Sequence, residues 1–356
     1  MRNFKDEVWR RNVDKVVKQI EEEDIKFVKL QFTDINGILK SLSVHSKNIE
    51  NIFENGQPFD GSSITGFRPI EESDMVLFPD PTTFAVIPWR PQEKSSCRLI
   101  CDVYTPDNRR FEGDPRYVLE KALLECEEAG MSYICAPELE FFLLKEGENG
   151  GAPTPIDLAG YFDYHPGDLT DGIRREIADS AEHFSIEIEV SHHEVALGQN
   201  EIDFKYDEAL TTADRAITMK MITKTVAARN GYLATYMPKP FFGINGSGMH
   251  VHQSMWNRER TENLFYCEDE NSNYLSDIAR HFIGGQLRYG REMCSVLASW
   301  PNSYKRLVPG YEAPVFIAWS RGNRSANIRI PVYEKGVANA ARKRVEYRTP
   351  DPSCNP

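Results

Sequence analysis

No stretch of the 356 residues comes near the roughly 18 consecutive apolar residues of a membrane helix. The first residues, Met1-Arg2-Asn3-Phe4-Lys5-Asp6-Glu7, lack the apolar centre of a secretory signal. The seven cysteines include no Cys-x-x-Cys pair, and their odd number suits reduced cytosolic thiols better than a disulfide framework. Gly-Lys never occurs, which removes the phosphate-binding P-loop, and neither His-Glu-x-x-His nor the dinucleotide motif Gly-x-Gly-x-x-Gly is present. There is no internal repeat and no low-complexity segment. Positive charge is in short supply: 42 Lys and Arg against 54 Asp and Glu leave a net charge of −12, which argues against nucleic acid held by bulk electrostatics.

What the sequence does hold is an ordinary globular composition, 40% hydrophobic and 27% charged, which rules out wholesale disorder. At about 150 residues per domain, the length predicts two domains. The charge is uneven, with ten Lys and Arg against three Glu from Lys305 to Arg348. A basic segment in an acidic chain suits an anionic small-molecule site, with a solvated basic face as the alternative.

Val13, Val16, Val17 and Ile20 recur at helical spacing in a helix from about Asn3 to Glu23. Phe27 to Val44 reads as two strands about an Asn36-Gly37 turn. A proline-rich stretch from Phe78 to Pro91 precedes a strand near Arg98 to Tyr104, and Thr105-Pro106-Asp107-Asn108 makes a turn and a domain boundary. Asp114-Pro115 supplies the N-cap and first position of a helix that Gly130 closes. The pattern then predicts a strand from Ser132 to Lys145, a loop from Gly147 to Pro155, and a helix from about Asp171 to Phe184. A strand over Ile186 to Val190, a helix from about Asp207 to Asn230 and short strands around Phe242 to Ser254 follow. A helix near Asn273 to Ser295 and broken strands from Val315 to Arg348 complete the chain. Strands mixed with long helices, without regular βαβ alternation, indicate an α+β protein.

The chemistry lies in the carboxylates. Glu138 and Glu140 stand two apart in Ala136-Pro137-Glu138-Leu139-Glu140-Phe141-Phe142, and the period of a strand sets both on one face. In apolar surroundings such a pair is costly unless a cation neutralises it. A solvent-facing sheet edge is the other reading. Glu194 and Glu201 flank Val-Ala-Leu-Gly-Gln-Asn, a weak signal alone, and His250 and His252 share a face beside a glycine-rich turn. Arg344, Glu346 and Arg348 alternate with Val345 and Tyr347. That face suits a metal carboxylate flanked by anion-binding guanidiniums, or a cross-strand salt-bridge ladder. Many carboxylates, few imidazoles and no thiolate pair fit the hard cations Mg²⁺ or Mn²⁺ better than zinc. A nucleotide here would have its phosphates held by metal and arginine.

Phe59-Asp60-Gly61-Ser62-Ser63-Ile64, Asn245-Gly246-Ser247-Gly248-Met249-His250 and the run Asn302-Ser303-Tyr304-Lys305-Arg306-Leu307-Val308-Pro309-Gly310-Tyr311-Glu312-Ala313-Pro314 resemble type I glutamine synthetase of bacteria and archaea. Pro137-Glu138-Leu139-Glu140, Asn323-Arg324-Ser325 and Arg344-Val345-Glu346 are similar to the same family, and the resemblance runs from Phe27 to Pro356. It implies an N-terminal β-grasp domain over 1–106 and a catalytic domain over 107–356, built on a curved antiparallel sheet. It also implies a catalytic domain incomplete at its C-terminus, since the family continues through several helices beyond Asp351-Pro352-Ser353-Cys354-Asn355-Pro356.

The activity implied is ATP-dependent condensation of glutamate with ammonia through γ-glutamyl phosphate, in the cytoplasm, with two or three Mg²⁺ or Mn²⁺ ions. By the resemblance, Glu140, Glu194 and Glu201 hold one metal, and Glu138, His250 and Glu346 the second. Glu189, Tyr206, His252, Ser254, Arg324 and Arg329 match nucleotide positions. Asn245, Gly246, Arg306, Glu312 and Arg348 match the glutamate site; Asp60, Ser63, Tyr161 and Glu312 match the ammonium site and its closing flap. Asp60, Glu312, Arg324 and Arg344 are the residues implied for catalysis. The partners implied are the small-molecule substrates, further copies in a double hexameric ring, and a nitrogen-regulatory protein or metabolite effector, with neither nucleic acid nor membrane.

The sequence departs from the family at Ala341, where a nucleotide-site lysine is usual and Arg342 or Lys343 stands close by. Pro69 occupies an arginine position used for glutamine feedback in some relatives, with Arg68 beside it, and no adenylylation tyrosine can be assigned. A γ-glutamyl ligase for an amine or polyamine, and a non-catalytic relative, are the competing readings. The presence of Asp60, Tyr161 and Glu312 argues against the first, and six intact candidate ligands against the second.

Overall fold

Asp6 caps the first helix, α1 (Glu7–Glu22), its carboxylate accepting from the Trp9 amide at 2.7 Å. The computed structural model describes residues 6–89, 95–147, 150–332 and 337–356. The predicted start of α1 at Asn3, the end of the proline-rich stretch, part of the Gly147–Pro155 loop and part of the tail after Val332 fall outside the described residues. Two units separate: Met1–Glu120 with Glu182–Ser185, and Lys121–Ala181 with Ile186–Pro356.

In the first unit, β1 (Phe27–Thr33) and β2 (Leu39–His45) pair antiparallel around a turn in which Gly37 adopts φ 74°. There follow α2 (Ile49–Asn55), β3 (Gln57–Asp60), β4 (Asp74–Pro79), β5 (Ala85–Val86) and β6 (Ser96–Tyr104). The strand order is β2-β1-β6-β4-β3, with β5 beside β6 and β1 parallel to β6. Every residue of β6 is buried. Val16 and Ile20 of α1 and Ile49, Ile52 and Phe53 of α2 complete a core with Val28, Leu30, Leu77, Leu99 and Val103. The unit continues past the Thr105–Asn108 turn because Arg116 bonds Asp80 at 2.9 Å and Asp102 at 2.5 Å, and Arg110 bonds Glu120 at 2.6 Å.

The boundary between the units falls inside α3 (Pro115–Glu128), which stops before Gly130 at φ 75°. Then come β7 (Met131–Lys145), β8 (Thr154–Pro155), α4 (Asp171–Glu182), β9 (Ile188–His193), β10 (Gln199–Phe204), β11 (Asp207–Glu208), α5 (Ala209–Arg229), β12 (Leu233–Thr235) and β13 (Val251–Asn257). The chain continues through α6 (Asp277–Arg288), α7 (Gly290–Leu297), α8 (Ser303–Arg306), β14 (Phe316–Arg321), β15 (Ala326–Ile330) and β16 (Val345–Tyr347). Ten strands form one sheet in the order β14-β15-β16-β13-β7-β10-β9, with β8, β11 and β12 also on β7. Within this sheet only the β14–β15 pair is parallel among the described strands. Helix α5 packs along β7 and buries Ala216, Met219, Ile222 and Val226. Ala279 and Ile283 of α6 join Ile328, Ile330, Val345 and Tyr347 in a second core.

Four expectations shift. The strand expected over Ile186 to Val190 starts at Ile188 and runs on to His193. The helix expected from Asp207 begins two residues later, because Asp207 and Glu208 pair with Cys135 and Ile134 of β7. The helix expected near Asn273 to Ser295 is two helices: Asn273 is left-handed at φ 60°, Ser276 caps α6, and Tyr289 interrupts the spiral. Of the strands expected around Phe242 to Ser254 only β13 forms. Residues 242–250 send their amides elsewhere, Ser247 N to Pro238 O at 2.8 Å and Met249 N to Pro350 O at 3.0 Å. Among the described residues no helix is long and apolar enough to cross a membrane.

Candidate active site

Antiparallel register brings the acidic side chains together. Glu201 lies opposite Glu140 and Asp203 opposite Glu138 on the β10–β7 ladder, while His252 of β13 lies opposite Glu346 of β16. Residues directly opposite in a ladder point to the same face, and like charges so placed repel. The strand order β16-β13-β7-β10 thus collects carboxylates and imidazoles on one face, and Leu139, Phe141 and Leu143 of β7 alternate with it, at most 1% exposed. The solvent-facing edge is excluded, since β7 is an inner strand.

Glu138 is the hub. Its Oε2 takes a bond from His250 Nδ1 at 2.9 Å and its Oε1 one from His252 Nε2 at 2.6 Å. The other nitrogen of each ring faces an arginine: Arg306 Nη2 at 3.4 Å from His250 Nε2, and Arg344 Nε at 2.9 Å from His252 Nδ1. A guanidinium only donates, so the ring nitrogen facing it is the acceptor in each case. Burial and the Arg348 charge push His250 down to about 4. Burial opposes ionisation of Glu138, but the bonds from the two rings overcome it and hold this carboxyl well below the usual range.

The neighbouring carboxylates behave oppositely. Burial, then the Glu194 charge, pushes Glu140 up to about 8, although Gln199 Nε2 at 2.8 Å and Gly248 N at 3.0 Å both donate to its Oε2. Burial and the charges of Glu138 and Glu140 raise Glu201 well above its ordinary value, and burial followed by Glu201 pushes Asp203 up to about 10. A buried group of carboxylates with raised proton affinity is a donor set short of positive charge. Ligand atoms of Glu138, His252 and Glu346 lie within 4.8 Å of one another, as do those of His192, Glu194 and Glu201. His250 Nδ1 stands 3.7 Å from Glu140 and 4.0 Å from Glu346. Oxygen-rich, anionic and closely spaced, these donors fit hard divalent cations.

Guanidiniums ring the carboxylates. Glu346, fully buried, is bonded by Arg329 Nε and Arg348 Nη1. Arg348 also reaches the Arg324 carbonyl at 3.1 Å and the Glu312 carbonyl at 3.3 Å, tying two loops to β16. Arg306 donates to the carbonyls of Arg348, Thr349 and Pro350 at 3.0–3.2 Å. The resulting cavity, of about 200 Å³, is lined by Glu138, Glu140, Tyr161, Glu194, Glu201, Asn245, Gly246, His250, Arg306, Glu312, Arg324, Arg329 and Arg348 among others. The alternating Arg344, Glu346 and Arg348 resolve as one ion pair, Arg348 with Glu346, while Arg344 turns to His252.

Other predicted residues stand elsewhere. Asp60 and Ser63 belong to the first unit, both exposed, with Asp60 accepting from Ser62 N at 2.8 Å. Glu189 and Tyr206 are exposed, and Ser254, buried, accepts from Trp256 Nε1 at 3.0 Å. Lys343, near Ala341, donates to the Asn273 carbonyl at 2.6 Å and is buried.

The sequence did not announce three supports. His192 Nε2 lies 3.1 Å from Glu201. Gln199 ties Glu140 to the Gly246 carbonyl, 3.1 Å away. Asp157 accepts from Leu169 N, Gly198 N and His193 Nε2 at 3.0–3.1 Å, so one buried carboxylate closes the Tyr161 loop and joins it to the β9–β10 turn. His192 and Gln199 sit inside the run that carries Glu194 and Glu201, which was the only signal for them.

Residues 24–106 match the model for the glutamine synthetase beta-Grasp domain and residues 112–356 that for the glutamine synthetase catalytic domain. The glutamine synthetase of Methanosarcina mazei is 49% identical over 342 residues, 96% of this chain and 75% of its own length. That of Thermotoga maritima is 50% identical over 345 residues, 96% and 76% respectively. The cryoEM structure of Plasmodium falciparum glutamine synthetase superposes with a TM-score of 0.87 at 27% identity, over 96% of this chain and 72% of that one. A GmaS/ADP complex gives 0.84 at 30% identity, over 96% and 77%.

Proposed function

The chain belongs to the glutamine synthetase family, and from that premise we infer that it is a glutamate–ammonia ligase. It condenses L-glutamate with ammonia through γ-glutamyl phosphate, converting ATP to ADP and phosphate. The observation that carries this reading is a buried carboxylate face ringed by Arg324, Arg329 and Arg348 around one polar cavity.

A γ-carboxylate is anionic and has no leaving group, so ammonia cannot displace oxygen from it directly. Phosphoryl transfer supplies the leaving group, and Arg324, Arg329 and Arg344 would stabilise charge on the transferring phosphoryl. Asn245, Gly246, Arg306 and Arg348 would seat glutamate, with Glu312 above it. Glu189, Tyr206, His252 and Ser254 would meet the nucleotide. Ammonium must lose a proton before it attacks; Glu312 is suited to take it beside Tyr161, and Asp60 and Ser63 would serve the ammonium site of a neighbouring copy in the ring. Two or three divalent cations, Mg²⁺ or Mn²⁺, would be held by Glu140, Glu194 and Glu201 and by Glu138, His250 and Glu346, and when bound would offset phosphate charge. The enzyme is proposed to work in the cytoplasm, which suits its seven free cysteines, as a double hexameric ring open to a regulatory protein or metabolite.

Phosphate release from ATP, measured with glutamate plus ammonium and with glutamate plus a panel of amines, tests the reading. Ammonium is expected to be the preferred acceptor. Release with an amine but not with ammonium would replace this activity by an amine-directed γ-glutamyl ligase.

Gly248→Ala provides a structural check. A Cβ there would meet Arg306 Nη2 at 2.7 Å, His250 Nε2 at 2.8 Å and Glu140 Oε1 at 3.1 Å. Misplacing such groups by about 1 Å costs on the order of a hundredfold in rate. Turnover should fall by about that factor while circular dichroism is unchanged. Near-normal turnover would remove this loop from the working site.

A further inference from the structure

Lys239 has no role in the assignments above, and its surroundings are unusual for a lysine. It is 7% exposed, yet among the described residues no carboxylate pairs with it. Its ammonium bonds the Ile244 carbonyl and lies 3.9 Å from the centre of the Tyr311 ring. Its backbone is clamped by one side chain, Lys239 N donating to Asn302 Oδ1 at 2.7 Å and Asn302 Nδ2 donating to Lys239 O at 3.0 Å.

Three segments converge on this residue. Ile244 precedes Asn245 and Gly246 of the proposed glutamate loop. Pro238 accepts from Ser247 N at 2.8 Å, and a Cβ on Gly246 would stand 2.2 Å from Pro238 O, so residues 238–247 pack as one unit. Asn302 leads into α8, which carries Arg306. Tyr311 lines the cavity and is followed by Glu312, held left-handed at φ 58° in a loop that also contains Gly310 at φ 95°.

A buried ammonium needs compensation for the water it loses. Here a carbonyl supplies part and the electron-rich face of Tyr311 the rest. When Tyr311 swings out, Lys239 loses that part, and when the glutamate loop is disordered it loses the carbonyl. One cation therefore favours the arrangement in which loop and flap are both in place.

We propose that Lys239 is a positioning residue that latches the Tyr311–Glu312 flap to the glutamate loop and so keeps water from γ-glutamyl phosphate. The inference rests on the ligase reading. If water enters, its oxygen bonds to the acyl carbon, Cδ, and phosphate leaves with the electron pair of the bond between that carbon and the phosphate oxygen. Glutamate is regained, a proton is released, and the net reaction is ATP plus water to ADP plus phosphate.

The test measures ADP and glutamine in parallel for the wild-type chain and for Lys239→Met, Lys239→Arg, Tyr311→Leu and Tyr311→Phe. The wild type should make a single ADP per glutamine. Lys239→Met and Tyr311→Leu should each raise that ratio several-fold with the KM for ATP unchanged. Lys239→Arg and Tyr311→Phe, which keep the cation and the ring, should restore the wild-type ratio. The double variant Lys239→Met/Tyr311→Leu should be no worse than either single one, because both remove the same contact. A slower enzyme with an unchanged ratio, or a Lys239→Arg as uncoupled as Lys239→Met, would overturn the latch.

Amide exchange over residues 308–313 gives a readout that needs no turnover: faster in Lys239→Met, unaltered in Lys239→Arg. Equal exchange in both would also overturn the latch. Should Lys239→Met fail to fold, the Tyr311→Phe and Tyr311→Leu pair carries the test. A wild-type chain that makes no glutamine would count against the ligase reading, leaving exchange to decide the latch.

Discussion

Glu346→Ala is expected to reduce glutamine formation sharply and to lower the urea midpoint of the chain, both from one cause. Glu346 is fully buried and bonded by Arg329 and Arg348, the latter 2% exposed, with His250 Nδ1 4.0 Å away. Truncation removes one negative charge and leaves two guanidiniums without it. Breaking a buried pair from one side costs about 3–5 kcal/mol, because the remaining charge is stranded. Arg348 also holds the Glu312 and Arg324 carbonyls, so its release frees both loops. Glu346→Gln keeps shape and hydrogen bonding and should recover part of the stability without the activity. Glutamine formation titrated against Mg²⁺ should show residual activity only at higher metal concentration. A metal titration identical to wild type would remove Glu346 from the donor set.

The second large effect is a coupling between metal, pH and stability. In the metal-free protein Glu140 is raised to about 8 and Glu201 well above its ordinary value, both chiefly by burial. Unfolded glutamates ionise near pH 4.3. Above that pH the folded chain holds protons that the unfolded chain has released, so stability falls as pH rises. His250, lowered to about 4, acts in the opposite sense, but only up to its unfolded value near 6.5. Between about pH 6.5 and 8 Glu140 acts without that offset, costing up to roughly 1.4 kcal/mol per pH unit, and Glu201 acts in the same direction. Thermal midpoints in chelator should therefore drop across this window, and saturating Mg²⁺ should abolish the slope. Mg²⁺ added to metal-free protein at pH 7 should release protons, since binding favours the ionised form. A flat profile without metal would mean that these carboxylates are solvated or already neutralised.

Much of this was legible in the sequence where structure is set locally. The Asn36-Gly37 turn, the Asp114-Pro115 start and Gly130 stop of α3, and the two-residue spacing of Glu138 and Glu140 depend on a few neighbouring residues, and each was found where expected. The convergence of Glu138, Glu140, Glu194, Glu201 and His250 on one cavity followed from family motifs; spacing alone could not supply it, because their strands are joined by long connections. What stayed hidden depends on register. Whether His192 faces Glu201 is decided by the β9–β10 pairing, and whether Asp207 is strand or helix by its partner on β7. Lys239 and Asp157 look like ordinary polar loop residues until distant segments close on them.

The placement of Glu138 and Glu140 within β7 has a mechanical consequence. Their amides donate to the carbonyls of His250 and Gly248, at 2.8 and 3.3 Å, while β10 pairs along the opposite flank and α5 lies along the strand. Fraying begins at strand ends and sheet edges and dies out inward. These two carboxylates sit at the middle of a fifteen-residue inner strand, so breathing reaches them last. The anchor of the site is thereby its last part to loosen, and the Glu138 and Glu140 amides should be among the slowest to exchange in the chain.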